Sequence, residues 1–396
     1  MKKMKNWVIA ATLIICSASV ITSCSNDDSP VVPTDEVEAQ LQQMTLREKV
    51  GQLFYVRPEC LDTTIHFNLI STIDSSADDI KNIKLQAVNA TMLAVNEQYP
   101  VGGIILYAHN IEDEAQLATF IPQIRALKGS PLLCIDEEGG RVARIANNEN
   151  FHQKKYESMG AIGATGDPTN AYECGNTIGT YLKNYGFDID FAPVADVNTN
   201  PENIVIGARA FSDNPAVAAS MVTNYLQGLK DAGIVGCIKH FPGHGDTKAD
   251  THYGYASTQK TWAEMLNCEM LTFRAGINWG CQLIMTAHIA APNVTGSDIP
   301  STMSSIILQD KLRGELGYQN IIITDAMEMG AITKQYNNAE AAVGTFLAGA
   351  DIILGPQNFV EAFDAVVAAV ENGTISEERL DQSVRRILTL KRQKRF

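Results

Sequence analysis

The sequence predicts an α/β fold of the (β/α)8 TIM-barrel type, built as a single domain, and three observations predict it. Eight short apolar runs recur through the 396 residues, with longer helix-like segments between them. Several of the runs are apolar on consecutive positions rather than alternating, as expected of parallel strands covered on both faces. No G-x-G-x-x-G follows the first run, which argues against a doubly wound open sheet.

The expected strands are Val50–Val56, Val101–Tyr107, Pro131–Ile135, Phe187–Val194, Ile234–His240, Leu283–His288, Ile321–Thr324 and Asp351–Leu354. The expected helices between them are Glu114–Leu127, Ala216–Ala232, Ala339–Ala348 and Phe359–Asn372, which carry apolar residues at three- and four-residue steps. Pro122 predicts a kink or a split in the first of these. Ser376 reads as the N-cap of a last helix reaching about Lys391, with Glu377 and Glu378 suiting the positive end of its dipole. The chain stops at Phe396, just past the eighth unit, which leaves no room for a second domain after the barrel. The barrel domain is therefore expected over residues 41–396.

The residues before 41 read differently. Lys2, Lys3 and Lys5 precede an apolar run from Trp7 to Ile21, the pattern of a signal peptide spanning residues 1–23. It ends in Ile21-Thr22-Ser23-Cys24, which resembles the lipobox of bacterial lipoproteins. That resemblance implies lipidation at Cys24, export, and attachment to a membrane through the N-terminal lipid alone, on the periplasmic or outer side. Residues 24–40 are polar and Pro-containing and read as a tether. Of the remaining cysteines, Cys134, Cys237 and Cys281 lie in or beside apolar runs and are expected in the core; no spacing nominates a disulfide. A formal charge of −14 argues against a nucleic-acid partner.

In a barrel of this kind functional residues gather where strands end and βα-loops begin. Polar residues at those ends are Asp136, Asp196, Lys239 with His240, His288 and Asp325. Asp325, leaving a hydrophobic strand, is either a helix N-cap or a carboxylate nucleophile able to trap an oxocarbenium-like centre. A nucleophile of that kind needs a partner that is first an acid and then a base. Asp250 and His252, two apart after the fifth strand, suit it: imidazole titrates near working pH, and an adjacent carboxylate orients it. Gly243, Gly245 and Gly254 predict a mobile loop there. A competing reading treats His240, His244, Asp246, Asp250 and His252 as metal ligands, although Pro242-Gly243 breaks the helix that would align the first two histidines. His288 reads as a structural or pocket-lining residue.

The stretch Lys239-His240-Phe241-Pro242-Gly243-His244-Gly245-Asp246-Thr247 resembles glycoside hydrolase family 3, in its branch of bacterial β-N-acetylhexosaminidases. The likeness runs from about Met44 to Leu390 and includes Asp136-Glu137-Glu138-Gly139-Gly140-Arg141, Ile206-Gly207-Ala208-Arg209-Ala210-Phe211 and Thr324-Asp325-Ala326-Met327. The resemblance implies Asp325 as nucleophile, His252 as acid/base with Asp250 as dyad partner, and Asp136, Arg144, Arg209, Lys239 and His240 as binders of the terminal sugar. The family usually has Asp-Ser-His where this chain has Asp250-Thr251-His252, a change that spares both dyad members. The implied activity is that of a retaining exo-β-N-acetylhexosaminidase, a monomer without cofactor or metal, acting on terminal β-linked N-acetylglucosamine in glycans or peptidoglycan fragments. A β-glucosidase typically takes its acid/base from a second domain. A phosphorylase, which hands the sugar to phosphate, and a glycan-binding lipoprotein without catalysis are the other readings left open. Similar enzymes often work in the cytoplasm on peptidoglycan fragments, and an exported lipoprotein departs from that.

Overall fold

The computed structural model describes residues 34–65, 84–247 and 256–395. Eight parallel strands form one sheet: β1 Phe54–Val56, β2 Gly103–Ile105, β3 Leu132–Ile135, β4 Ile189–Asp190, β5 Val235–Phe241, β6 Leu283–Thr286, β7 Ile321–Thr324 and β8 Ile353–Leu354. Each pairs with its neighbour in sequence, β1 pairs with β8 at Phe54 and Ile353, and a parallel bridge from Ile323 to Ile352 joins β7 to β8. The sheet is the expected barrel, and its strands carry fully buried side chains such as Phe54, Tyr55, Ile104, Leu133, Ile189, Ile238, Ile284 and Ile322. Consecutive apolar residues are needed because successive side chains face the barrel interior and the helical shell in turn.

The shell contains α1 Thr34–Gln43, α2 Glu114–Arg125, α3 Pro168–Tyr185, α4 Pro215–Asp231, α5 Glu269–Trp279, α6 Asn338–Ala348, α7 Phe359–Glu371 and α8 Glu377–Arg395, with a ten-residue π-helix at Ile306–Glu315 and shorter helical segments between them. Pro122 does not split α2; it lies on the exposed side of the helix, near its end. Ser376 caps α8, its Oγ accepting from the Arg379 N–H at 3.2 Å. The long helix α3 has no counterpart among the sequence expectations. Its signals are Asp167 accepting from the Thr169 N–H, Pro168 in the first turn and Gly186 closing the end. Gly186 sits at φ +94°, and a Cβ there would meet Ile121 Cγ2 at 3.1 Å. Gly186→Ala is therefore expected to cost about 1–2 kcal/mol, read as a lower urea midpoint at unchanged slope.

Two boundaries are corrected. The run Val50–Val56 is not strand throughout: Leu46–Gln52 is helix, started by a capping box in which Thr45 and Glu48 satisfy each other's backbone N–H. The tether expected over 24–40 ends earlier, because α1 begins at Thr34. Val37 and Leu41, four apart, are buried, and Glu38 and Glu36 pair with Arg385 and Arg392 of α8. The folded part thus starts about one helix before residue 41. Cys24 and the signal-peptide residues lie outside the described residues. The six cysteines from Cys60 to Cys281 are free, and all but Cys268 are buried.

Candidate functional site

The strand ends expected to carry function converge on one mouth of the barrel. Asp136 follows β3 directly, and Lys239 and His240 lie inside β5, whose last residue is Phe241. Lys239 Nζ is 2.9 Å from Asp136 Oδ1 and Arg144 Nη2 is 3.4 Å from Asp136 Oδ2. Arg209, on the loop that follows β4, donates to neither of these but to Glu138.

Glu138 is the residue that the sequence reading missed. Arg209 grips both its oxygens, Nε to Oε2 at 2.8 Å and Nη2 to Oε1 at 2.7 Å, and Lys239 Nζ lies 2.7 Å from Oε1. Burial alone would push the Glu138 carboxyl up; Arg209 and Lys239 outweigh it and hold the group well below the usual carboxylate range. The same carboxylates keep Lys239 above its ordinary value despite burial. The signal was present: Asp136 and Glu138 are two apart in extended chain and so share a face. Glu137, between them, faces the other way and accepts from Tyr181 Oη and from the Ile145 and Ala146 N–H groups.

His240 Nδ1 is 2.6 Å from Asp196 Oδ2, and Arg209 Nη2 is 3.3 Å from His240 Nε2. A guanidinium only donates, so Nε2 accepts and the ring proton sits on Nδ1, facing Asp196. Asp196 is buried. Burial raises its pKa, yet His240, His244 and the His244 N–H bring it below the ordinary value.

Asp325 leaves β7 with its N–H donating to Thr286 O at 3.1 Å, while its Oδ1 accepts from the Ala326 N–H at 2.7 Å. Burial raises this carboxyl; His240, His288, the Ala326 N–H and Lys239 together lower it further than burial lifts it. His288 Nε2 is 3.0 Å from Ala326 O, so Nε2 carries a proton and pins the carbonyl of the residue after Asp325. The result is an ionised, half-buried carboxylate with one oxygen committed to the backbone.

Asp250 and His252 lie outside the described residues. The chain on either side of them is held firmly: Thr258 Oγ1 donates to Asp246 Oδ2 at 2.9 Å, and Ala290 N–H donates to Ala256 O at 2.9 Å. Lys260 Nζ pairs with Glu269 and stands 3.7 Å from Asp246. Gly243 and Gly245 leave no room for a side chain, and Gly254 lies outside the described residues. A Cβ on Gly245 would lie 1.9 Å from Val197 O, and one on Gly243 2.5 Å from Glu269 Cγ. Asn203 and Asn200 then tie this segment to the preceding loop through His244 O and Thr247 O.

Such a mouth can grip a polyhydroxylated ligand through charge-assisted bonds beside an ionised carboxylate. The comparisons with known proteins agree with that chemistry. The glycosyl hydrolase family 3 N-terminal domain matches residues 45–390. The β-hexosaminidase A of Pseudoalteromonas piscicida is 34% identical over 320 residues, covering 74% of this chain and 54% of that protein. A β-hexosaminidase of Xanthomonas campestris pv. campestris (strain B100) is 34% identical over 279 residues, 69% of this chain and 82% of the relative. Among solved structures, a family 3 β-N-acetylglucosaminidase from Paenibacillus sp. str. FPU-7 superposes with a TM-score of 0.76 at 35% identity, over 89% of this chain and 63% of that one. The chain thus spans little more than half of the first relative, whereas most of the second is matched. From a match over nearly the whole barrel, the chain belongs to glycosyl hydrolase family 3.

Proposed function

We propose that this protein is a retaining exo-β-N-acetylhexosaminidase that removes terminal β-linked N-acetylglucosamine from glycans or peptidoglycan fragments. The observation that carries the reading is Asp325: a carboxylate kept ionised at the end of β7, beside the Asp136–Lys239–Glu138–Arg209 network. Relatives named β-hexosaminidases at 34% identity support the choice of sugar.

In this reading the free Asp325 oxygen attacks the anomeric carbon and forms an ester as the glycosidic C–O bond breaks. His252, oriented by Asp250, gives its proton to the leaving oxygen. It then takes a proton from water, whose oxygen attacks the anomeric carbon and releases Asp325 as carboxylate. Asp136, Arg144, Arg209, Lys239 and His240 hold the sugar's hydroxyl and acetamido groups. The positively charged members do so without a net excess of buried charge, because Asp136 and Glu138 balance Lys239 and Arg209.

Proton NMR of an aryl β-N-acetylglucosaminide during hydrolysis tests the proposal. The β-anomer of N-acetylglucosamine is expected first, with the α-anomer growing in only through mutarotation. An α-anomer formed first would overturn the double displacement, and absence of any release would overturn the activity. Sugar 1-phosphate formed in phosphate buffer would mark a phosphorylase instead.

The N-terminal residues support a companion proposal of lipidation at Cys24 and an exported, membrane-anchored location. Among the described residues no helix is long and apolar enough to cross a membrane, so the anchor in this proposal is the lipid.

A further inference from the structure

Glu137 is fully buried beside the charged network of the mouth, and nothing in the proposed mechanism uses it. It starts a tight hairpin: Glu137 pairs with Ala143 and Gly139 with Val142, while Gly139 and Gly140 turn the chain back at φ +88° and +65°. The ladder ends at Ala143, so the next three N–H groups, those of Arg144, Ile145 and Ala146, have no strand opposite them. The Glu137 carboxylate takes all three. Oε2 accepts from the Arg144 N–H and from the Ile145 N–H at 2.9 Å, and Oε1 accepts from the Ala146 N–H at 2.8 Å. Tyr181 Oη completes the set, donating to Oε1 at 2.8 Å. Successive backbone N–H groups that converge on one anion form a nest, and here the anion is the chain's own side chain. Four donors on two oxygens leave the carboxyl no place for a proton.

Glu137 is itself fixed from behind. Its N–H donates to Asp190 Oδ1 at 2.9 Å, and Tyr225 Oη donates to its carbonyl at 3.3 Å. Its chain neighbours are Asp136 and Glu138, the two carboxylates of the network. One residue therefore joins the segment that carries those carboxylates to the bend that carries Arg144.

Arg144 depends on that bend more than Arg209 depends on its own backbone. Both oxygens of Glu138 grip Arg209 at Nε and Nη2, so its guanidinium is set from the charged end. Arg144 has only a long contact from Nη2 to Asp136 Oδ2 at 3.4 Å and a distant ring, Tyr107, 5.8 Å from its Cζ. Among the described residues its Nε has no hydrogen-bond partner. A long side chain held so loosely at its tip keeps much rotamer freedom, and its reach is then set by where the backbone aims it. We infer that Glu137 is a positioning residue: by holding the N–H groups of residues 144–146 it fixes the direction from which Arg144 meets the sugar. The inference rests on the proposed function, in which Arg144 binds the terminal sugar.

Without the carboxylate three N–H groups lose their acceptor, and unmade bonds of that kind cost enough to rearrange a bend. A misplacement of about 1 Å in a group that positions substrate can lower the rate about 100-fold.

A double-mutant cycle on an aryl β-N-acetylglucosaminide tests the inference, with a melting curve for each variant. Glu137→Ala is expected to lower kcat/KM about 10- to 100-fold. In an Arg144→Ala background the same change should cost less than about threefold, because the group it aims is already gone. Penalties that multiply in full would make Glu137 a part of the fold alone and overturn the assignment. Glu137→Gln guards against misfolding of the alanine variant. Its amide keeps one accepting oxygen and turns a donor towards a donor, so a loss of about threefold to 10-fold is expected, again absent once Arg144 is alanine. Arg144→Ala with wild-type kcat/KM would overturn the inference together with the place of Arg144 in the proposed function. Calorimetric binding of N-acetylglucosamine runs the same cycle without turnover. A wild type that binds without hydrolysing, with the binding cycle still non-additive, would count against the enzymatic reading alone, and additive binding losses against this inference alone.

Discussion

Replacing Asp325 by asparagine is expected to lower kcat for an aryl β-N-acetylglucosaminide by about four orders of magnitude while KM and thermal stability change little. The amide keeps the oxygen that accepts from the Ala326 N–H at 2.7 Å, so the local backbone has no reason to move. What is lost is the second oxygen's charge and its capacity to form an ester with the sugar. Charge matters here because His240, His288 and Lys239 all favour the ionised form at this position. Steady-state kinetics with a melting curve on the same sample decide the matter. Activity within tenfold of wild type would remove Asp325 from the chemistry and return it to the helix-cap role that its position also allows.

The second large effect is on stability. Glu138→Gln is expected to destabilise the fold by about 3–5 kcal/mol, and to weaken kcat/KM on the same substrate. Glu138 balances Arg209 and Lys239 simultaneously, with contacts of 2.7 Å and 2.8 Å from Arg209 and 2.7 Å from Lys239. Glutamine fills the space but removes the one carboxylate that both cations contact, leaving Asp136 and Asp196 to offset Lys239 and Arg209. The sign with pH follows from the depressed pKa of Glu138. Its contribution is fully present above the ordinary glutamate value of 4.5 and is lost as pH falls through the lower folded value. Urea melts at neutral pH and below 4.5 should therefore show the gap between variant and wild type narrowing on acidification. A variant within about 1 kcal/mol of wild type at neutral pH would mean that the cations find other partners or water.

Much of this was visible in the order of residues. The eight apolar runs each overlap a barrel strand, although most overreach: Phe187–Val194 yields only Ile189–Asp190, and three of the seven residues of Val50–Val56 are helix; Ile234–His240 stops one residue short of its strand. Apolar runs report burial, and burial continues past the point where a strand stops pairing. The helices with apolar stripes were placed within two residues, apart from the last, which runs four beyond Lys391. Helix α3 escaped because its buried side includes Ala171, Gly175 and Gly179, small residues that carry little hydrophobic signal. They are small because α4 packs closely there: a Cβ on Gly175 would lie 2.3 Å from Tyr225 O.

The same division holds at the site. Sequence alone picked out the strand-end positions Asp136, Lys239, His240 and Asp325, because a polar residue closing an apolar strand is a local pattern. It also determined the barrel, since eight buried parallel strands need eight apolar runs. Only the tertiary structure decided which charges meet. Glu138 pairs with Arg209, 71 positions further along the chain, and Arg57 with Glu328 between the first strand and the seventh. Nothing local marks such partners, because an ion pair is set by distance in space and by the dielectric around it, and both arise only once the barrel has closed.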